Sequence, residues 1–311
     1  MSQNTVHKTS IDWFRLRTRS SSEDVLEALK PLFGDLGTHL RVAPLERGIM
    51  GFKRADGIFL SDMQVARFDY GGESQKGWGR LDMPGKPCVF VQDWDALDGL
   101  AALEDAEIRR LDIALTTVKG EVNHEMVKDA HSRGRFITRG RPPELREISS
   151  TDAVAGRTCE IGTREKSDKF MRCYEKGWEM IKDFPHHMRE GCTSINGVHP
   201  SLIYRSELEL KAVNMTIHFE TIYKRDQYFA GAYPFCSDIL PGVECDILTR
   251  NPKLQSALDI EAALANCRNQ FGNTLFTALT YFHGDVGEVW SKICGDKHSP
   301  HLVEAGVLLH S

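Results

Sequence analysis

The amino-acid sequence predicts an α+β fold: antiparallel sheets covered by helices on one face, in two related halves followed by a helical C-terminal segment. Short extended runs separated by Gly, Pro and Asp, as between residues 50 and 94, are typical of antiparallel hairpins. A strand followed by a helix occurs twice, first from residue 11 and again from residue 109. These observations predict an N-terminal half at 1–105, a second half at 106–250 and a helical segment at 251–311.

In the first half, residues 11–18 (IDWFRLRT) are predicted as a strand. Residues 20–33 are predicted as an amphipathic helix with a capping box of Ser20 and Glu23, ended near Gly34. Hairpin strands follow, and residues 95–105 (DALDGLAALED) are predicted as another helix.

In the second half, residues 109–117 (RRLDIALTT) are predicted as a strand and residues 123–133 as the helix after it. From Pro252 onward the sequence is mostly helical, with breaks expected at Gly272 and Gly284. The segment FMRCYEKG (170–177) fits either a strand or the start of the helix that continues through WEMIKDF, and periodicity alone does not decide between them.

Composition excludes several classes of protein. A net charge of -5 and a pI of about 6.2 argue against a protein that coats nucleic acid non-specifically, because such binding depends on neutralising phosphates. No run of about eighteen apolar residues predicts a membrane span, and the start of the chain lacks the features of a signal peptide. Eight scattered cysteines without a CxxC pair indicate reduced thiols, so a cytoplasmic location is expected.

A local basic segment stands out at residues 131–146 (HSRGRFITRGRPPELR). Arginine suits forked contacts to phosphate, so this segment is predicted to bind DNA. The alternative is a solvated, mobile loop. The four arginines assigned to DNA are Arg133, Arg135, Arg139 and Arg141.

Several predicted strands carry one apolar and one polar face, because side chains alternate along a strand. In RRLDIALT, Leu111, Ile113 and Leu115 oppose the polar side chains. If these strands are neighbours, their polar side chains form one surface. It would hold the acids Asp112, Glu160, Glu207 and Glu209 beside Tyr174, Arg172 and Lys176.

Such a surface has a chemical interpretation. Clustered carboxylates favour raised pKa values or a bound cation, and ligand sets made only of oxygen suit Mg²⁺ or Mn²⁺. Tyr174 beside them is a candidate covalent nucleophile, and Arg172 and Lys176 are candidates to stabilise developing charge on a phosphate. The alternative is an antiparallel sheet with one solvated face, which gives the same alternation.

The order of these segments resembles the replication initiation factor family, the rolling-circle initiators of certain plasmids and filamentous phages, with related relaxases. The family's patterns run R-x-D-x-A, T-x-x-x-G, R-x-Y-[DE]-K-x-x-E and R-x-E-x-x-x-[KR]. The matching residues here are Arg110, Asp112 and Ala114; Thr158 and Gly162; Arg172, Tyr174, Glu175, Lys176 and Glu179; and Arg205, Glu207 and Lys211. The resemblance covers roughly residues 11 to 215.

The resemblance implies a metal-dependent enzyme of a bacterial host that nicks and rejoins one DNA strand through a 5′-phosphotyrosine at Tyr174. It implies metal ligands at Asp112 and Glu207, with Glu160 and Glu209 as further candidates, and Mg²⁺ or Mn²⁺ as cofactor. Many relatives carry a second acid four residues after the first, where this chain has Thr116. That departure leaves the ligand set open.

The expected partner is single-stranded or extruded origin DNA, with a host helicase and polymerase and a homodimer left open. Two alternatives remain: a catalytically silent protein that binds an origin or promoter, and a conjugative relaxase with the same chemistry.

Overall fold

The computed structural model describes residues 7–165, 167–249 and 252–299. It separates into two compact units, one reaching Leu248 and the other starting at Thr249. Among the described residues, no helix combines the length and apolar character that crossing a bilayer requires. The predicted boundaries at 105 and 250 stay a prediction.

The first unit is built on one ten-stranded sheet in which every neighbouring pair is antiparallel. Its order is β2-β3-β4-β5-β1-β6-β10-β9-β8-β7. The strands are β1 (Ser10–Thr18), β2 (Leu40–Pro44), β3 (Arg54–Leu60), β4 (Met63–Tyr70), β5 (Gly79–Met83), β6 (Glu107–Thr117), β7 (Leu145–Ile148), β8 (Thr158–Ile161), β9 (Lys169–Tyr174) and β10 (Tyr204–Lys211).

Helices connect these strands and complete the first unit. They are α1 (Ser22–Leu29), α2 (Gly85–Cys88), α3 (Asp98–Ala101), α4 (His124–Ser132), α5 (Lys176–Met180), α6 (His186–Glu190), α7 (Glu220–Tyr223), α8 (Arg225–Ala230) and α9 (Pro234–Ile239). In the part of the chain that the structure describes, 3₁₀ helices occur at Lys30–His39, Glu73–Gln75 and Pro200–Leu202. The second unit contains α10 (Pro252–Tyr281) and α11 (Val286–Ile293).

The two halves of the sheet share one topology. In the first, β1 leads into α1 and then into four strands, β2 to β5, the last of which returns to pair with β1. In the second, β6 leads into α4 and then into β7 to β10, the last of which returns to pair with β6. The halves join where β1 and β6 pair, with Phe14 opposite Leu111. The predicted α+β fold with two related halves is confirmed.

One face of the sheet is apolar and packs against helices that include α1, α4 and α8. Phe14, Leu111 and Leu208 are fully buried on this face, in one cluster with side chains of α1, α4 and α8 such as Val25 and Val127. Each such side chain contributes about 1.5–3 kcal/mol through removal from water. The opposite face therefore keeps the polar side chains of the same strands.

The first half contains the predicted helices, but their ends differ from the predicted positions. The capping box at the start of α1 is formed by Ser21 and Asp24, not Ser20 and Glu23, because Ser21 has the extended backbone of an N-cap. The helix predicted at 95–105 is only α3, and the chain near Gly34 continues as a 3₁₀ helix around a positive φ of 53°.

The helical C-terminal segment was predicted with two breaks, and one of them is observed. Gly272 lies within α10, which continues to Tyr281. The chain turns at Gly284, where φ is +86°, and Asp285 then caps α11 by accepting a hydrogen bond from the backbone N–H of Glu288.

Candidate active site

The polar face gathers the predicted acids through strand register. Glu209 of β10 lies opposite Asp112 of β6, and Glu207 lies opposite Arg172 of β9. Glu160 of β8 also lies opposite Arg172, from the other side. Directly opposed residues of antiparallel strands point to the same face, so the four acids share one surface with Arg172.

Tyr174 is the last residue of β9, and α5 begins two residues later, at Lys176. The segment FMRCYEKG (170–177) is therefore a strand up to Tyr174 and a helix from Lys176. The side chain is 8% exposed. Its hydroxyl donates a hydrogen bond to Oε2 of Glu207 at 3.3 Å. Glu207 also accepts two hydrogen bonds from Nη2 of Arg172, at 2.8 and 2.9 Å.

The phenol of Tyr174 is held in its protonated form. Burial raises its pKa well above the ordinary value, and the neighbouring carboxylate of Glu207 raises it further. Arg205 and Arg172 partly oppose this shift. A reaction at the phenolic oxygen therefore needs a group that takes the proton, and Glu207 already accepts a hydrogen bond from it.

Cationic side chains lie close to Tyr174. The guanidinium of Arg172 lies 5.0 Å from the centre of the ring and the ammonium of Lys176 lies 5.7 Å from it. Arg205 is directly opposite Tyr174 in the β9–β10 pair. Its guanidinium donates to Oγ1 of Thr116 at 3.0 Å and forms an ion pair with Asp12.

The acids further along the same face are already paired with cations. Both carboxylate oxygens of Asp112 accept hydrogen bonds from Arg110, at 2.8 and 2.5 Å. Burial nonetheless raises the pKa of Asp112 to about 7, and Glu207 and Glu209 add to the shift. Glu209 pairs with Arg110, Arg164 and Lys211 at 2.9 to 3.0 Å. Burial raises the pKa of Glu209, but these cations outweigh it and hold the pKa below its usual range.

The predicted metal ligands have donor atoms of the expected kind but not the expected arrangement. Oxygen donors suit Mg²⁺ or Mn²⁺. However, Arg110 and Arg172 occupy the oxygens of Asp112 and Glu207, and Glu160 lies toward Arg146 at 3.8 Å. Across residues 7–165, 167–249 and 252–299, no group of three acids, histidines or cysteines is placed to hold an ion. The residues as placed do not fit a metal, and the ligand set stays a prediction.

A cleft of about 1030 Å³ opens beside Tyr174 in the first unit. Side chains from β1, β9, β10 and the start of α5 form its polar wall, including Asp12, Arg172, Tyr174, Lys176 and Arg205. A smaller cavity of about 280 Å³ is also lined by Tyr174, together with Arg157 and Lys182. Tyr174 therefore lines both cavities and does not belong to the main apolar core cluster.

Sequence reasoning missed Asp12. The pairing of β1 with β6 shifts register between Ile11 and Trp13, so Asp12 lies in an irregularity where simple alternation no longer assigns a face. Its carboxylate reaches Arg205, two strands away. Arg205 was recognised as part of a motif but not as a neighbour of Tyr174; the register of β9 and β10 supplies that information.

The arginines predicted to bind DNA lie elsewhere. Arg133 pairs with Asp129 of its own helix, and Arg135 pairs with Asp238 of α9. Because neighbouring Phe136 and Phe235 belong to the apolar core, this segment lies on the helix-bearing side of the sheet. Arg139 and Arg141 are exposed. DNA binding by these four arginines stays a prediction.

Comparison with known proteins points to one family. The sequence model of the replication initiation factor family matches residues 106–257, which include Asp112, Glu160, Tyr174 and Glu207. A solved structure of a rolling circle replication initiator protein from Geobacillus stearothermophilus is similar to this chain, with a TM-score of 0.52. At 21% identity over 72% of this chain and 83% of the other, this likeness shows the fold. No curated protein matches the sequence.

Proposed function

The resemblance to the replication initiation factor family is confirmed over residues 106–257, and from that premise we propose that this chain initiates rolling-circle replication by nicking and rejoining one DNA strand through Tyr174. The observation that carries the proposal is the hydrogen bond from the Tyr174 hydroxyl to Glu207 at the wall of a cleft. Arg172, Lys176 and Arg205 stand around it.

The reaction is a transfer of one phosphodiester. The phenolic oxygen of Tyr174 bonds to phosphorus while the bond from phosphorus to the 3′ oxygen breaks. Glu207 accepts the phenolic proton, and the leaving 3′ oxygen takes a proton from solvent water to become a free hydroxyl. The 5′ phosphate remains on the tyrosine, so the ester energy is retained and the reverse step rejoins the strand.

The cations supply the electrostatic part of the mechanism. Negative charge increases on the phosphoryl oxygens in the transition state, and fixed donors stabilise it without reorganisation. Arg172 and Lys176 lie over the tyrosine ring, and Arg205 lies across from it in the sheet. Arginine also provides forked contacts to phosphate oxygens, which fix the orientation of the strand.

The proposal includes a divalent metal ion only as a conditional cofactor. A bound Mg²⁺ or Mn²⁺ would polarise a phosphate oxygen, with Asp112, Glu160, Glu207 and Glu209 as candidate ligands. Arg110 and Arg172 would first have to release the carboxylates that they hold. Titration of the protein with Mn²⁺, followed by paramagnetic resonance, tests this: one tight site that Asp112→Asn weakens supports it, and its absence contradicts it.

The freed 3′ hydroxyl would be extended by a host polymerase, with a host helicase separating the strands. A supercoiled plasmid carrying the gene for this chain and its flanking DNA is the substrate for the test, incubated with Mg²⁺ or Mn²⁺. Wild-type protein is expected to form a covalent DNA adduct that survives denaturing electrophoresis, and Tyr174→Phe is expected to form none.

Tyr70→Phe is the matched control, because the Tyr70 hydroxyl also donates to a carboxylate, Asp56 at 3.4 Å, in the same sheet. It is expected to keep the adduct. The second candidate function is a catalytically silent protein that binds an origin. The burial of Tyr174 and the pairing of the acids with arginines favour that reading, and it prevails if wild type forms no adduct.

A further inference from the structure

A second groove of about 360 Å³ lies on the polar face, away from Tyr174. It is formed mainly by β1, β5, β6 and the end of β10. The cations that line it are Arg15, Arg17, Arg80, Arg109, Arg110 and Lys211. Phe52 and Trp78 are its aromatic members. The proposed reaction uses none of these residues.

No carboxylate belongs to the described residues that line this groove. The acids that pair with its cations stand beside them, such as Asp82 with Arg15 and Glu107 with Arg17. Two of the acids, Asp69 and Glu209, are also shared with Arg67 and Arg164. The lining of the groove is therefore cationic although the whole chain is acidic, while the acids that pair with these cations lie outside the lining.

Two guanidinium groups in the groove keep unused donors. Arg80 is 9% exposed, and its Nε has no hydrogen-bond partner among the described residues. The Nε of Arg15 likewise has no hydrogen-bond partner among the described residues. A buried N–H without an acceptor costs about 1–3 kcal/mol, so a side-chain shift that brings either Nε to an anion in the groove would remove that cost.

Trp78 contacts two arginines, Arg17 in the lining of the groove and Arg19 beside it. The guanidinium carbons of Arg17 and Arg19 lie 4.1 and 4.6 Å from the centre of its ring. A forked side chain fixed in this way loses less conformational freedom when it binds a phosphate. Trp78 thus acts by positioning arginines, in place of the base stacking that an exposed tryptophan would offer.

Strand β10 connects the groove with the tyrosine site. Arg205 lies opposite Tyr174, and Lys211 lies opposite Arg110 in the groove. The two positions are an even number of residues apart, so they point to the same face. Their separation along the strand is roughly 20 Å at about 3.3 Å per residue.

We propose that this groove binds the phosphates of the single DNA strand whose scissile phosphate lies at Tyr174. That the bound polyanion is DNA rests on the proposed function. The cationic lining of the groove and the unpaired Nε donors are observed independently of that function. The span corresponds to about six nucleotides at the roughly 3.4 Å spacing of a strand in duplex DNA, and an extended single strand would cross it with fewer. Such contacts position the strand without reading its sequence.

The test measures binding, so that it does not depend on cleavage. All proteins carry Tyr174→Phe, and the probe is a fluorescein-labelled 20-mer of thymidylate, with anisotropy recorded over a range of salt concentrations. The test variant combines Arg17→Ala and Arg109→Ala. The control is Arg41→Ala, because Arg41 also pairs with an acid, Asp62 at 3.8 Å, and lies over an aromatic ring, Phe59 at 5.0 Å, but outside the groove.

The double variant is expected to bind at least about fivefold more weakly, and the slope of log affinity against log salt is expected to fall by about 1.4, or 0.7 for each lost phosphate contact. Arg17→Lys with Arg109→Lys is expected to restore most of the slope, which separates lost charge from misfolding. Unchanged affinity and slope in the alanine variant overturn the proposal. So does a loss confined to a 20-base-pair duplex probe. Absence of a covalent adduct in wild type would instead overturn only the nicking function.

Discussion

The hydroxyl of Tyr174 donates a hydrogen bond to Glu207 at 3.3 Å, between neighbouring strands of one sheet. The same carboxylate is held by Arg172. This places a proton acceptor and a cation beside the phenol; Tyr174 and Arg172 line the cleft, whereas Glu207 is buried next to them. Glu207 therefore links the chemistry of Tyr174 to the positive charge around it.

Glu207→Gln is expected to slow adduct formation by about 10²-fold, the usual lower end of general base catalysis. The amide keeps the shape of the side chain but cannot take the phenolic proton. The measurement is the single-turnover rate of adduct formation on the supercoiled plasmid. Glu147→Gln is the control, because Glu147 pairs with His124 and Lys128 away from the cleft. Equal rates for both variants would remove Glu207 from the mechanism.

Asp12→Asn is expected to weaken function through Arg205. The amide no longer balances the guanidinium that lies opposite Tyr174, so Arg205 is free to change position. We expect about a tenfold lower rate at saturating DNA with little change in affinity for the strand. Asp62→Asn, at the exposed partner of Arg41, is the control. A purely weaker affinity with an unchanged rate would assign Asp12 to binding instead.

Leu111→Ala is expected to cost about 2–5 kcal/mol in the free energy of unfolding, because Leu111 is fully buried where the two halves pair. One sheet runs through both halves, so the first unit should lose its structure in a single step. Urea unfolding followed by tryptophan fluorescence measures both quantities. Leu202→Ala, at a side chain 42% exposed, should cost under 1 kcal/mol. Two separate transitions would contradict the continuous sheet.

Cysteine reactivity is expected to follow burial. Burial raises the pKa of the Cys159 and Cys236 thiols to about 12, so at pH 8 roughly one in 10⁴ is a thiolate, and this fraction rises about tenfold with each pH unit below 12. Native protein at pH 8 should react at exposed Cys245, Cys267 and Cys294 and leave Cys159 unlabelled. Mass spectrometry after brief alkylation reads the result. Fast labelling of Cys159 would contradict the placement of β8 on the core.

Much of this arrangement could be predicted from sequence, because strand alternation depends only on local geometry. Strand alternation predicted that Leu111 and Asp112 lie on opposite faces and that four acids from three segments share one surface, as the strand register shows. Family motifs added Tyr174. The paired helix-bearing halves also followed from a repeated strand and helix.

The rest depends on distant contacts that no local pattern contains. Arg110 turns back onto Asp112 in its own strand, and Asp12 lies in a strand irregularity. The segment with Arg135 joins the helix-bearing side because Phe136 packs into the core, although its charge alone suggested a DNA surface. The basic groove combines strands from both halves of the sheet, so it becomes visible only after folding.

The most direct test of the central claim is to identify the residue that carries DNA. The covalent complex formed on the supercoiled plasmid is digested with nuclease and trypsin, and the peptide that retains a nucleotide is sequenced by mass spectrometry. The account predicts the nucleotide on Tyr174, joined through its 5′ phosphate. A nucleotide on Tyr204, Tyr233 or any other residue would contradict it.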